Sequence, residues 1–236
     1  MQNNSPNIDE QELDKFDSLA GDWWDPNGRL RTLHHINPVR LRYIEQTIPL
    51  LDKKVLDLGC GGGLLAEAIA KKGGRVTGLD ASRSAIAIAE SHRQAEGLEI
   101  EYVVESAELF AAHNRDRFDI ITCMELLEHV PDVESLLNAC ATLLKPGGDL
   151  FLATINRSLK SYMTAIVAVE YCLGLLPKGT HDYGKFIKPS ELNRWLLRQG
   201  FSMLDLVGMS YIPGLNQCSL TGNPAINYIA HARLGR

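Results

Sequence analysis

The segment Glu125-Leu126-Leu127-Glu128-His129 brings two carboxylates and an imidazole into five consecutive residues. If it forms one helical turn, the three polar side chains share a face, because residues three and four apart are neighbours on a helix. Such a group could bind a divalent cation and leave two positions open for vicinal oxygens of a ligand. Mg²⁺ would favour the carboxylates, whereas zinc would also accept the histidine.

The same residues allow two other interpretations. His129 could act as a general base without a metal, with Glu125 and Glu128 orienting it. The two acids could also do no more than occupy the first turn of a helix, with His129 hydrogen-bonded nearby. Because the segment directly follows a predicted strand, where ligands bind in α/β sheets, a functional role is favoured.

A glycine-rich turn, Asp57-Leu58-Gly59-Cys60-Gly61-Gly62-Gly63, follows an earlier apolar run. Glycine allows a sharp turn and lets a ligand approach the main chain closely, so the turn could hold a pyrophosphate or an amino-acid carboxylate. The dinucleotide fingerprint GxGxxG would place its third glycine at position 64, which is Leu64. Asp80 ends the next predicted strand, 21 residues after Gly59, where a carboxylate can accept both hydroxyls of an adenosine ribose.

Alternating strands and helices must position these residues. The strand candidates are KVLDLG, RVTGLD, IEYVVES, FDIITCM and DLFLATIN, followed by two more near 202–210 and 226–233. Helices are predicted at 64–72, 82–96, 132–144 and 189–199. Strands joined through helices imply parallel crossovers, so we predict an α/β fold with a doubly wound sheet.

One domain is expected, in four parts. Residues 1–51 form an N-terminal helical cap with helices at 9–24 and from the Asn37-Pro38 pair onward, anchored by burial of Trp23 and Trp24. Residues 52–156 form the cofactor-binding core, and residues 189–236 complete the sheet.

The remaining part, 157–188, is an insertion that holds the apolar run 162–176, whose only charged residue is Glu170. Fifteen residues are too few to span a bilayer comfortably. Because basic residues flank the run, we predict a hydrophobic lid that contacts an anionic membrane surface and admits a long apolar substrate. A helix in the core or at a dimer interface is the alternative.

Composition excludes some classes of function. The chain has 236 residues, 45% of them hydrophobic, and a formal charge of −5, which argues against a general nucleic-acid binder. Five cysteines without a CxxC pair predict neither a disulfide framework nor a structural zinc site, and they favour a reducing cytoplasm. The first fifteen residues are polar and acidic, so no targeting signal is expected and a cytoplasmic location is predicted.

Three segments, VLDLGCGGG, GLD and KPGG, resemble the class I S-adenosylmethionine-dependent methyltransferases. The resemblance implies a Rossmann-like, mostly parallel sheet whose last strand is antiparallel. It also implies that Asp57 and the glycines from Gly59 through Gly61 to Gly63 surround the methionine end of the cofactor. Asp80 would then hold the ribose, and residues 106–108 would flank the adenine.

Three longer segments, HHINPVRLRYI, TCMELLEHVPD and KGTHDYGKFIKPSEL, are similar to the ubiquinone biosynthesis O-methyltransferase family. That family methylates polyprenylated catechol-type intermediates and demethylubiquinol. The resemblance implies cofactor contacts at four positions, which are Arg40, Gly59, Asp80 and Met124. It also implies a divalent cation, Mg²⁺ in our hypothesis, at the catalytic residues Glu125, Glu128 and His129. Other enzymes of ubiquinone biosynthesis become candidate partners, and contact with the inner face of the membrane is expected.

Individual residues disfavour three alternatives to this function. A nucleotide-dependent oxidoreductase is disfavoured by Leu64. A methyltransferase of a soluble small catechol is disfavoured by the apolar insertion. A non-catalytic, cofactor-binding scaffold is disfavoured by the presence of Glu125, Glu128 and His129.

Overall fold

The computed structural model describes residues 7–158 and 183–236. The apolar run 162–176, for which a membrane-contacting lid is predicted, lies outside the described residues.

One eight-stranded sheet organises the chain. Its strands are β1 (Lys54–Leu58), β2 (Arg75–Asp80), β3 (Ile100–Val104), β4 (Phe118–Met124), β5 (Leu144–Ile155), β6 (Phe201–Ile212), β7 (Gln217–Thr221) and β8 (Asn227–Leu234). They lie in the order β3-β2-β1-β4-β5-β8-β6-β7. Strands β1 to β5 pair in parallel, and the last strand, β8, runs antiparallel to both β5 and β6. The predicted Rossmann-like sheet with a last antiparallel strand is thus confirmed.

Seven α-helices accompany the sheet in the part of the chain that the structure describes. They are α1 (Glu10–Asp17), α2 (Arg31–Thr47), α3 (Leu64–Ala70), α4 (Arg83–Glu96), α5 (Ala107–His113), α6 (Val133–Leu143) and α7 (Pro189–Arg198). Local signals fix several ends. Ser82 and Asp132 cap the N-termini of α4 and α6, because each side chain accepts a backbone hydrogen bond that the helix cannot satisfy itself. Gly97 ends α4 in the left-handed conformation.

Both faces of the sheet are buried. One apolar cluster joins the sheet to α5, α6 and α7, and a second joins it to α2 and α3. Along β5, Leu152 belongs to the first cluster, whereas its neighbours Phe151 and Ala153 belong to the second. This alternation is the pattern of a strand covered on both sides. Helix α2 of the N-terminal region therefore completes one side of the core.

Several boundaries differ from the prediction. The helix predicted at 9–24 ends at Asp17, and a separate 3-10 turn spans Ala20–Asp22. Helix α2 begins at Arg31, so Pro38 lies inside it, at the cost of one backbone hydrogen bond. Asn37 does not cap a helix, because it lies inside α2, and its side chain donates to the Leu64 carbonyl, 2.9 Å away. That contact depends on α3 and has no local signature.

The sequence analysis also missed two elements, α5 and β7. Strand β7 pairs with β6 as an antiparallel hairpin at the edge of the sheet. The segment Lys145-Pro146-Gly147-Gly148 ends α6 as predicted, but it already belongs to β5, next to a shift in the register with β4. Proline is tolerated in a strand at such an irregularity. No helix among the described residues has the length and apolarity needed to cross a membrane.

Candidate functional site

The carboxyl ends of β1, β2 and β4 meet at one edge of the sheet. Leu58 at the end of β1 pairs with Leu79 on one side and with Cys123 on the other. The glycine-rich turn, Asp80 and the acidic segment after Met124 therefore converge, as expected for neighbouring parallel strands.

The glycine-rich turn adopts backbone conformations that favour glycine. Gly59, Gly61 and Gly63 have φ values of +70°, +53° and +89°. The Gly61 N–H donates to Oδ2 of Asp80 at 2.8 Å, and the Ser82 N–H donates to its Oδ1 at the same distance. Burial raises the pKa of Asp80 above its usual range. Asp80 thus ties the turn after β1 to the start of α4.

Asp57 lies beneath this turn as a buried acid. The Thr122 hydroxyl donates to its Oδ1 at 2.7 Å. Burial raises the pKa of Asp57 to about 7, against the lowering effects of the Thr122 hydrogen bond and the charge of Arg40. A buried carboxyl whose pKa is raised in this way destabilises the folded protein once it ionises. Such perturbed groups are common where a protein binds a ligand.

Two tryptophans from the N-terminal region cover the turn. Trp23 is 8% exposed, which confirms its predicted burial. Trp24 is partly buried, and its indole N–H donates to the Gly62 carbonyl at 2.9 Å. Its ring stacks on His92 of α4, with centroids 3.4 Å apart. The sequence did not predict that these tryptophans cover the glycine-rich turn, since the contact depends on how the N-terminal region packs on the sheet.

Arg40 of α2 reaches the end of β4. It is buried, and its Nη2 lies 2.5 Å from Oε1 of Glu125. Glu125 itself has a φ of +54°, which is uncommon for a residue other than glycine. The ion pair ties the cap helix to the acidic segment.

Glu128 is buried beside Glu125. The Thr154 hydroxyl donates to its Oε2 at 2.6 Å. Burial raises the pKa of Glu128 well above its usual range, and the adjacent Glu125 carboxyl raises it further through charge and a hydrogen bond. The two side chains form an acidic pair that a nearby cation would stabilise.

The side chain of His129 contacts helix α1 and not the acidic pair. Its Nδ1 lies 3.0 Å from Oε2 of Glu12 on α1, and its ring meets Phe16 edge-on at 5.1 Å. Only Leu127–His129 form a helical turn, of the 3-10 type, because Glu125 adopts the left-handed conformation. The shared helical face considered for Glu125, Glu128 and His129 is therefore not formed. Within residues 7–158 and 183–236, no three His, Cys, Asp or Glu side chains are arranged to hold a metal ion.

Glu12 is a site residue that the sequence analysis missed. Besides His129, it contacts Lys185, whose Nζ lies 3.3 Å from its Oε1 and 3.1 Å from Oδ2 of Asp9. Glu12 and His129 are 117 positions apart, and no motif marks the acid. Only the tertiary structure, in which α1 contacts the segment after β4, brings them together.

Comparisons with known proteins identify the family of the chain. A family model described as a methyltransferase domain matches residues 33–206. A ubiquinone biosynthesis O-methyltransferase of Coxiella burnetii is 53% identical over 224 residues, covering 95% of each chain. A relative of the same name from Azoarcus sp. is 48% identical over 227 residues, covering 96% of this chain and 97% of its own.

Solved structures share the fold. Magnesium protoporphyrin IX methyltransferase from Synechocystis, crystallised with bound SAH, superposes with a TM-score of 0.69 at 18% identity, covering 96% of this chain and 99% of its own. On the identity and coverage of its curated relatives, this chain belongs to the ubiquinone biosynthesis O-methyltransferases, a family of S-adenosylmethionine-dependent enzymes.

Proposed function

We propose that this enzyme methylates a ring hydroxyl of polyprenylated catechol-type intermediates and of demethylubiquinol. The observation that carries the proposal is the acidic pair Glu125 and Glu128 with His129 at the end of β4, at the edge that also bears the glycine-rich turn. The names of the curated relatives support this class of substrate.

The glycine-rich turn and Asp80 suit the donor. Gly59 and Gly61 let the main chain turn sharply at the sheet edge where ligands bind, and Asp80 would accept the ribose hydroxyls. Asp57 and Arg40 are buried near the same turn, and Nε of Arg40 is a buried donor without a partner among the described residues. Met124 ends β4 at the same edge of the sheet. These are the residues that we assign to the cofactor.

Methyl transfer from a sulfonium is an in-line displacement, so the protein mainly holds donor and acceptor in line. The acceptor must be nucleophilic, yet a phenol has a pKa of about 10 in water. Residues that remove the hydroxyl proton, or that stabilise the resulting anion, therefore determine the rate.

The acidic pair fits a divalent cation in donor type, because the charges of the two adjacent carboxylates oppose each other and a cation between them would relieve that repulsion. We propose Glu125 and Glu128 as its ligands, with His129 as a third if it turns away from Glu12. When bound, Mg²⁺ would lower the pKa of a catechol hydroxyl.

His129 also supports proton removal without a cation. Its Nδ1 faces Glu12, whose carboxylate would orient the ring and stabilise the imidazolium that forms when His129 takes up a proton. The Glu12 contact favours this alternative over orientation of His129 by Glu125 and Glu128.

The polyprenyl tail leads us to propose association with an anionic membrane surface through the insertion 157–188. The basic residues that flank its apolar run in the sequence, Lys160 and Lys178, would add electrostatic attraction.

The decisive experiment measures methyl transfer from S-adenosylmethionine to a prenylated catechol, with Mg²⁺ and after exhaustive chelation. We expect turnover that Mg²⁺ restores, and less turnover with an unprenylated catechol. Activity unchanged by chelation would support His129 as the base instead. Absence of turnover on either substrate, with S-adenosylmethionine still bound, would favour the scaffold alternative.

A further inference from the structure

The indole of Trp23 packs against the glycine-rich turn. A methyl group built on Gly61 would lie 2.0 Å from Cζ2 of the ring, and one built on Gly62 would lie 2.2 Å from Cδ1. Since Cε2 and Nε1 lie between these two atoms along the ring, the edge that carries the N–H faces the turn. Bulk at either glycine would displace this edge.

Among the described residues, the indole N–H of Trp23 has no hydrogen-bond acceptor, whereas that of Trp24 has one. Trp24 donates its indole N–H to the Gly62 carbonyl. Nε1 of Trp23 is buried and has no hydrogen-bond partner among the described residues. The carbonyl of Trp23 lies 3.0 Å from Nε2 of His34, so the backbone of the residue is held in place. A buried donor without a partner is rare in folded proteins and points to a group that arrives later.

The chemistry of the unpaired buried donors indicates which group of a ligand they would bind. An indole N–H can only donate, and so can a guanidinium. Nε of Arg40 is a second buried donor without a partner in the described part of the chain. S-adenosylmethionine has a single anionic group, the carboxylate of its methionine end. Its ammonium and ribose hydroxyls are donors and match the acids Asp57 and Asp80.

We infer that the indole N–H of Trp23 donates a hydrogen bond to the carboxylate of the bound cofactor. Trp23 is thus a cofactor-positioning residue that holds the methionine end on the glycine-rich turn and so fixes the direction of the sulfonium methyl. The inference rests on the proposed position of the cofactor at this turn.

The test compares two ligands that differ at the methionine end. S-adenosylhomocysteine carries the carboxylate, and 5′-methylthioadenosine lacks it. By titration calorimetry on the full chain, Trp23→Phe should weaken S-adenosylhomocysteine about tenfold or more, as expected for a hydrogen bond to a charged group. The affinity of the variant for 5′-methylthioadenosine should stay within about twofold of the wild-type affinity. Trp195→Phe on α7 is the matched control and should change neither affinity.

A second measurement uses the wild-type protein and needs no folded variant at position 23. The chain has three tryptophans, so three indole N–H signals are expected by ¹⁵N NMR. Trp24→Phe and Trp195→Phe assign two of them and leave that of Trp23. S-adenosylhomocysteine should shift the Trp23 signal downfield, and 5′-methylthioadenosine should not. Equal responses to both ligands, or none to S-adenosylhomocysteine despite binding, would overturn the inference. Failure of S-adenosylhomocysteine to bind would instead overturn the proposed cofactor site.

Discussion

Nη2 of Arg40 lies 2.5 Å from Oε1 of Glu125, and the side chains are 7% and 24% exposed. The pair joins the cap helix α2 to the residue that follows β4, so folding of the cap and assembly of the acidic pair are coupled.

A double-mutant cycle should detect this coupling. For Arg40→Gln and Glu125→Gln we expect about 1.5–3 kcal/mol in the free energy of unfolding, the range of hydrogen bonds to charged groups in sheltered positions. The control is the Arg75–Asp52 pair, whose side chains are 67% and 70% exposed and should couple by less than about 1 kcal/mol. Equal coupling in both cycles, measured by urea denaturation, would contradict the prediction.

The buried Asp57 should destabilise the protein without cofactor as the pH rises. Its pKa in the folded state is about 7, against 3.8 for the ordinary group. The folded protein therefore keeps a proton that the unfolded chain releases, so stability falls between about pH 4 and 7 and the loss is complete above that window. Asp57→Asn should raise the Tm at pH 8, by roughly 2–4 °C for each kcal/mol gained.

Asp119 provides the control for Asp57, with the opposite sign. Partial burial acts to raise its pKa, but hydrogen bonds from Lys145 and from the Lys54 N–H lower it overall. Asp119→Asn should therefore lower the Tm at pH 8, and its effect should fade as the pH falls through the lowered pKa. A pH-independent effect of Asp57→Asn would count against the raised pKa.

The proposed cation should be visible without measuring catalysis. Mg²⁺ above its Kd should raise the Tm of the wild-type protein, since a ligand that binds only the folded state stabilises it. Glu125→Gln and Glu128→Gln should each remove the shift, whereas Glu134→Gln on α6 should retain it. A Mg²⁺ shift that survives in both Glu125→Gln and Glu128→Gln would place the cation elsewhere.

Glu12 should affect turnover more than binding. Glu12→Gln removes the charge that faces Nδ1 of His129, and we expect kcat to fall by about ten- to hundredfold, since a positioned base contributes about 10²–10⁴ in total. The KM for S-adenosylmethionine should stay within about twofold, a small effect on the free-energy scale. Glu10→Gln, at an exposed position of the same helix, is the control. Indistinguishable kcat values for the two variants would exclude Glu12 from proton removal.

Alanine substitutions at two glycines with a left-handed backbone distinguish the effect of backbone strain from that of steric crowding. Gly61 has a φ of +53° and lies against Trp23, whereas Gly97 has a φ of +66° and has nothing within 4 Å of an added methyl group. Gly97→Ala should cost about 1 kcal/mol of stability through backbone strain alone. Gly61→Ala should cost more and should weaken S-adenosylhomocysteine by more than about tenfold, that is, by at least 1.4 kcal/mol. Equal effects of the two substitutions would show that the Trp23 side chain moves aside without a cost in stability or in ligand binding.

Local patterns in the sequence determined most of the sheet and the position of the site. Apolar runs that end in Gly59, Asp80 and Met124 are strands because they are buried on both faces, and their parallel pairing brings their carboxyl ends together. Ser82, Gly97 and Asp132 mark helix ends through hydrogen bonds that depend only on near neighbours. The sequence alone therefore places the motifs at one edge of the sheet.

Only the tertiary structure decided which side chains face one another at that edge. Glu12 meets His129, Arg40 meets Glu125, and Trp23 meets Gly61 across 117, 85 and 38 positions, respectively. Such contacts depend on how the N-terminal helices pack on the sheet, which periodicity does not encode. The left-handed conformation of Glu125, stabilised by its neighbours and not by residue type, turned His129 away from the two acids.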